Sequence, residues 1–152
     1  MKDRRGMALA LALFALVIVG ALVAATFFVG RLEQQSGQNT LFAFQAAEAA
    51  EAAVSDAIAS LTEPALQAVP LGSTLALPEI ALGDRAIGRR VIIRLTGSLF
   101  LIRATGRRLD AAGSELAVRV LGSLVKLVPD SISGSNVVRR VRERSWMQLY
   151  GQ

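Results

Sequence analysis

The chain opens with a short charged leader, MKDRRG, and then runs for 24 positions, Met7 to Gly30, without a charge: MALALALFALVIVGALVAATFFVG. As a helix rising ~1.5 Å per residue this stretch is about 36 Å long, enough to cross a ~30 Å hydrocarbon core with some tilt. A core helix of a soluble protein keeps a polar face. This stretch has none, which predicts a transmembrane helix over residues 7–30. Lys2, Arg4 and Arg5 outnumber Asp3 ahead of it, and basic flanks are retained on the cytoplasmic side. The expectation is a single-pass protein of the bacterial inner membrane, N-terminus inside and C-terminal head outside. A cleavable secretory signal ending at Val23-Ala24-Ala25 is the rival reading. Against it, the apolar run continues through Thr26, Phe27, Phe28 and Val29, so a permanent anchor is expected.

From Arg31 the polarity changes but the helical character does not. Phe44, Ala47, Val54, Ala57, Ile58 and Leu61 recur at three- and four-residue steps, while Glu48, Glu51, Ser55 and Asp56 fall off that stripe. This predicts an amphipathic continuation of the helix over 31–62, stopped by Thr62-Glu63-Pro64. The whole helix would comprise about 55 residues and extend some ~80 Å. Residues 63–86, punctuated by Pro64, Pro70, Gly72, Pro78 and Gly83, read as a linker.

The period then shortens to two. Val91, Ile93 and Leu95 alternate with Arg90, Ile92 and Arg94, Gly97-Ser98 supplies a tight turn, and Leu99 to Thr105 returns as a second strand. Glu115 to Val128 reads as a third, with Gly122 a bulge or break. The predicted fold class is α+β: a long N-terminal helix packed on a three-stranded antiparallel meander over 87–129. In this head Leu95, Leu99 and Leu101 are expected to be substantially buried, and Arg90, Arg94 and Arg107 mostly exposed. The tail, 130–152, reads as a loop and then a basic short helix, with Trp146, Leu149 and Tyr150 able to dock on the head.

Composition narrows the chemistry. Histidine and cysteine are both absent, which removes disulfides, thiolate nucleophiles, zinc sites and histidine-based triads. A Ser–Lys dyad with Lys126 is the one formal hydrolase arrangement left. The net charge of +5 suits an acidic surface or anionic lipid and specifies neither. Glu48 and Glu51 share a helical face at a spacing open to metal or acid–base work, but no further ligand type accompanies them. Gly88-Arg89-Arg90, Gly106-Arg107-Arg108 and Arg139, Arg140, Arg142 and Arg144 could form a patch for DNA; few aromatics stand near them to stack on bases. No enzyme, cofactor, metal or nucleic-acid partner is expected.

Two segments carry a family resemblance. Residues 1–6, ending Arg4-Arg5-Gly6 ahead of Met7 and the apolar run, resemble the class III leader cut by prepilin peptidase. Ala43-Phe44-Gln45-Ala46-Ala47-Glu48-Ala49-Ala50 resembles the A-F-Q-A-A-E-A segment of PilX-type minor pilins. The resemblance covers about the first 55 residues and identifies the chain as similar to the type IV pilin-like proteins. It implies that Gly6–Met7 is the scissile bond, that the prepilin peptidase/methyltransferase is a partner and methylates the new amine, and that the helix assembles with other pilin-like subunits. Leu11, Phe44 and Glu48 are the assembly residues it singles out. Most pilins carry glutamate at the fifth mature position, where this chain has Leu11. A similar absence is known among tip pseudopilins of type II secretion systems. The expected function is therefore a minor pilin-like structural subunit in type IV pilus assembly, low-copy at the tip or in an initiation complex. The alternatives are a tip pseudopilin, a membrane-anchored envelope protein that binds or regulates a partner, and a secreted binding module released after Ala25.

Overall fold

The computed structural model describes residues 3–83, 85–131, 135–142 and 146–149, with side chains from Met7 onward. It divides into two units, Met1–Asn39 and Thr40–Gln152. Helix α1 (Asp3–Ser60) runs through the first unit and into the second. Every residue from Met7 to Thr40 is exposed. Among the described residues this is one helix long and apolar enough to cross a membrane, and it lies near the N-terminus. The stretch Arg31–Thr40, RLEQQSGQNT, is polar apart from Leu32 and is exposed throughout, so it presents no apolar stripe.

The second unit is the α+β body that the period change predicts. Helix α2 (Glu63–Gln67) follows α1, and then come β1 (Thr74–Ala81), β2 (Ala86–Arg94), β3 (Leu99–Leu109), β4 (Glu115–Pro129), β5 (Asn136–Arg140) and β6 (Met147–Leu149). The strands form one antiparallel sheet in the order β1-β2-β3-β4-β5, and β6 also pairs with β4. The sheet thus has six strands where the alternation predicted three.

Two boundaries change. The expected linker 63–86 contains α2 and β1. Its prolines stand where each element tolerates them: Pro64 in the first turn of α2, and Pro78 in an edge strand at the register shift between Leu77 and Ile80. The expected helix in the 130–152 tail is instead strand at β5 and β6, because Val137 and Val138 pair with Val128 and Leu127 of the long β4. Tyr150 and Arg144 lie outside the described residues.

Pairing of β2, β3 and β4 is as expected, but the buried face is the opposite one. Gly88, Arg90 and Ile92 of β2 and Phe100, Ile102, Ala104 and Gly106 of β3 are buried, while Val91, Ile93, Leu99 and Leu101 are half-buried and Leu95 is exposed. Arg94 and Arg107, expected in solvent, are also half-buried. A strand of period two that is apolar on both faces leaves this choice open.

The helix settles it. The buried stripe of α1 is Ala46, Ala49, Ala50, Ala53, Val54 and Ala57, one face at three- and four-residue steps but alanine at all positions except one. Phe44, expected on that stripe, is 61% exposed. Gly88 and Gly106 are register partners. A Cβ on Gly106 would stand 2.0 Å from the Ala46 carbonyl oxygen and 2.5 Å from the Ala50 nitrogen, and one on Gly88 would stand 2.7 Å from the Ala53 Cβ. The helix backbone therefore rests directly on two glycines. Along β3 the helix-facing residues shrink from Phe100 through Ile102 and Ala104 to Gly106. At the wide end Phe100, Ile92, Ile102, Val125, Val54 and Leu66 form the core.

Arg90 sits in this buried row at 5% exposure. It is tolerated because its guanidinium forms an ion pair with Asp56 of α1 and donates to the Pro78 carbonyl at 2.8 Å. A buried charge needs that partner and those hydrogen bonds.

Candidate functional site

With no catalytic constellation legible in the sequence, the functional question turns on surfaces. The residues expected to matter for processing and assembly fall in both units. In the first, the Gly6–Met7 bond lies within the opening turns of α1, with Met7 65% and Leu11 64% exposed. In the second, Phe44 and Glu48 both point away from the sheet, one turn apart on α1.

That outward face of α1 is a surface in its own right. Leu41, 52% exposed, and Phe44 give it apolar anchors. Glu48 and Glu51 follow on the same side, exposed and without an ion pair among the described residues. Residues 40–60 contain three acids, Glu48, Glu51 and Asp56, and no base. Since Asp56 is committed to Arg90, Glu48 and Glu51 supply the free negative charge. No group of three or more His, Cys, Asp or Glu side chains that could hold a metal occurs among the described residues. Sequence reading placed Phe44 on the buried stripe and passed over Leu41. Both follow once the alanines alone are taken as the packing face.

Beside Glu48, where α1 meets the start of β2, lies a groove of about 310 Å³ lined by Gln45, Glu48, Ala49, Leu82, Ala86 and Arg108. Gln45 Oε1 and Arg108 Nε are both buried there without a hydrogen-bond partner. An acceptor and a donor left open together present a polar contact site.

The basic residues do not form the single patch that their clustering in sequence suggests. Arg90 is consumed by Asp56. Arg107 bridges Glu79 at 2.7 Å and Glu115 at 3.1 Å. Arg94 ties three segments together: it donates to the Gln67 and Val69 carbonyls at 3.1 and 2.9 Å and to the Gly97 carbonyl at 2.9 Å, and stacks over Phe100. Arg140 donates to Ser55 Oγ at 3.0 Å and lies 4.5 Å over the Trp146 ring, holding the tail on the head as the aromatic residue suggested. Leu149 docks as well, its Cδ1 lying where a Cβ on Gly122 would come within 3.0 Å.

Most other cations have no ion pair among the described residues, and Arg89, Arg103, Lys126 and Arg139 are four of them. By register all four stand on the sheet face that α1 does not cover. Lys126 and Ser123 lie on opposite faces of β4, so those two do not make a Ser–Lys dyad.

No family model matches this chain, and neither a curated protein nor a solved structure matches it.

Proposed function

We propose that the chain is a minor pilin-like structural subunit of a type IV pilus assembly, anchored in the bacterial inner membrane with its N-terminus in the cytoplasm and its head outside, and without enzymatic activity. The observation that carries this reading is α1. Its charge-free 24-residue stretch, Met7–Gly30, is exposed throughout, and the same helix continues into an alanine stripe packed on an antiparallel sheet. Exposed Leu, Val, Ile and Phe in such number need either lipid or other helices around them. A fibre built on such helices supplies the second once the first is left. The leader before Met7 and the Ala43–Ala50 segment support the same reading by resemblance.

Leu11 points to the role. In a packed fibre the Met7 ammonium lies in apolar surroundings, where an unpaired charge costs several kcal/mol. On the resemblance, a neighbour's glutamate relieves that cost, and Leu11 has no carboxylate to offer. A shaft made wholly of this chain would repeat the deficit at every step, whereas a copy at the tip has nothing above it that needs the missing group. Hence low copy number, at the tip or in an initiation complex. The same argument fits a tip pseudopilin of a type II secretion system, and the fibre with which the chain co-purifies separates the two.

The test is the N-terminal residue of the mature protein. Met7, methylated, is the expected result, and Gly6→Leu should abolish it because a groove that closes on glycine has no room for a branched side chain. Met1 would make the helix a plain anchor for an envelope binding or regulatory protein, and Thr26 would make the head a secreted module.

A further inference from the structure

Neither helix covers the second face of the sheet. Its floor is Val91, Ile93, Leu101 and Leu124, all half-buried, and a shallow groove of about 290 Å³ runs over Val91 and Ile93 between Arg89 and Arg103. Cations stand at both ends of that floor. Arg89 and Arg103 flank the groove. At the other end Lys126 and Arg139, both exposed, are direct cross-strand partners, a placement of like charges that destabilises a sheet unless an anion sits between them. The face is thus apolar in the middle, with Arg89, Arg103, Lys126 and Arg139 outside any ion pair around it, while Arg107, beyond Thr105 on the same face, is already held by Glu79 and Glu115.

The same molecule displays the complement on its opposite side. The outward face of α1 carries Leu41 and Phe44 as exposed apolar anchors, with Glu48 and Glu51 as unpaired acids following them. We propose that the uncovered sheet face is the socket for this α1 face of a second copy of the chain, with Phe44 seated in the groove over Val91 and Ile93 and the two carboxylates against the free cations. Docking would give the sheet a helix on each side, the layering by which a two-faced apolar sheet is ordinarily covered. The two surfaces differ, so the contact is head-to-tail, which makes a ring if its rotation closes and an open stack if it does not. On the pilin reading, the unpaired Met7 amine recurs with each added copy and opposes a long run, so the contact builds a short stack. It gives Phe44 and Glu48, assembly residues by resemblance, a receiving surface.

The chain contains no cysteine, which makes cross-linking clean. Full-length Thr40→Cys, exposed one turn before Phe44 on α1, and Thr105→Cys, which lines the groove, mixed in detergent micelles, should form a disulfide-linked heterodimer under mild oxidation. Its yield should fall about tenfold, the equivalent of ~1.4 kcal/mol, when the second chain also carries R89E/R103E or K126E/R139E. It should fall likewise when the first carries E48K/E51K, and recover when both are reversed together. Failure of the charge swap to recover the yield overturns the proposal. So does a yield that no reversal changes, since association would then run through the membrane span. Binding of duplex DNA or of vesicles rich in anionic lipid that is lost in R89E/R103E, in a protein whose heads do not cross-link, would assign the face to that anion instead. The pairing does not depend on leader processing: a mature N-terminus of Met1 with successful charge-swap rescue removes the pilin reading and leaves the socket standing.

Discussion

The two lengths of α1 carry much apolar character and put it to opposite use. From Met7 to Gly30 more than half of the side chains are large, Leu, Val, Ile and Phe chiefly, and all residues are exposed. From Ala46 to Ala57 they are mostly single methyl groups, and six are buried. Hydrophobicity alone would rank these segments the wrong way round for burial within the chain. What separates them is the distance of approach. A helix faced with alanine can lay its backbone against Gly88 and Gly106, whereas a helix faced with leucine on every side fits no single neighbour and needs a surrounding medium or many helices.

The largest test of that contrast is at the glycines. Gly106→Leu should prevent the head from folding, because the obstructing atoms belong to the helix backbone of Ala46 and Ala50 and cannot move aside; strain of more than ~3 kcal/mol is expected. Gly20→Leu, where nothing lies within 4 Å, should leave head stability unchanged. Urea denaturation followed by fluorescence of Trp146, the single tryptophan, reads both, and a stable Gly106→Leu head would break the close-approach argument. Next, Phe100→Ala should cost about 3–5 kcal/mol by the same assay, and Phe14→Ala nothing, since Phe14 is 64% exposed.

The converse experiment puts a charge into the span. Leu16→Arg should weaken membrane retention by about 3 kcal/mol on insertion scales, read as the fraction of chain extracted by carbonate washing, with urea stability of the head unaltered. Retention equal to the parent would show that the apolar run is not in lipid. The smallest effect concerns the ion pair under the helix. Asp56→Ala should cost about 1–3 kcal/mol by leaving the Arg90 guanidinium short of a partner, and adding Arg90→Met should return most of that loss. A double variant no better than Asp56→Ala alone would mean that Arg90 holds the fold through its bond to the Pro78 carbonyl.

Much of the candidate surface was legible without coordinates. Glu48 and Glu51 fall off the stripe in the sequence as they do in the fold, and the hairpin through Gly97-Ser98 joins β2 to β3 where it was expected, although Gly97 does not take the positive φ of a glycine-first tight turn. The β3–β4 connection closes through Asp110, whose carboxylate accepts from the Ala112 and Ser114 backbone N–H groups at 2.8 Å, with Gly113 at φ 86°. Strand β1 was hidden by Pro78 within it and by Gly72 and Gly83 on either side, β5 by Arg139 and Arg140, and β6 by its length of three residues. Each is short or at an edge, and its pairing comes from a distant strand instead of its own pattern.

Local chemistry was enough to determine a charge-free span, a helix that outlasts it, and strands of period two closed by tight turns, because each depends on neighbours a few residues away. Which face of β2 and β3 turns inward was not determined that way. Val91, Ile93 and Leu101 argue for one face as well as Ile92, Phe100 and Ile102 argue for the other. Only the meeting of Gly88 with Gly106 across the hairpin, and of both with the alanines of α1, decided it: the helix can approach closely on one side alone. That decision buried Arg90 and left Arg89, Arg103, Lys126 and Arg139 together on the open face.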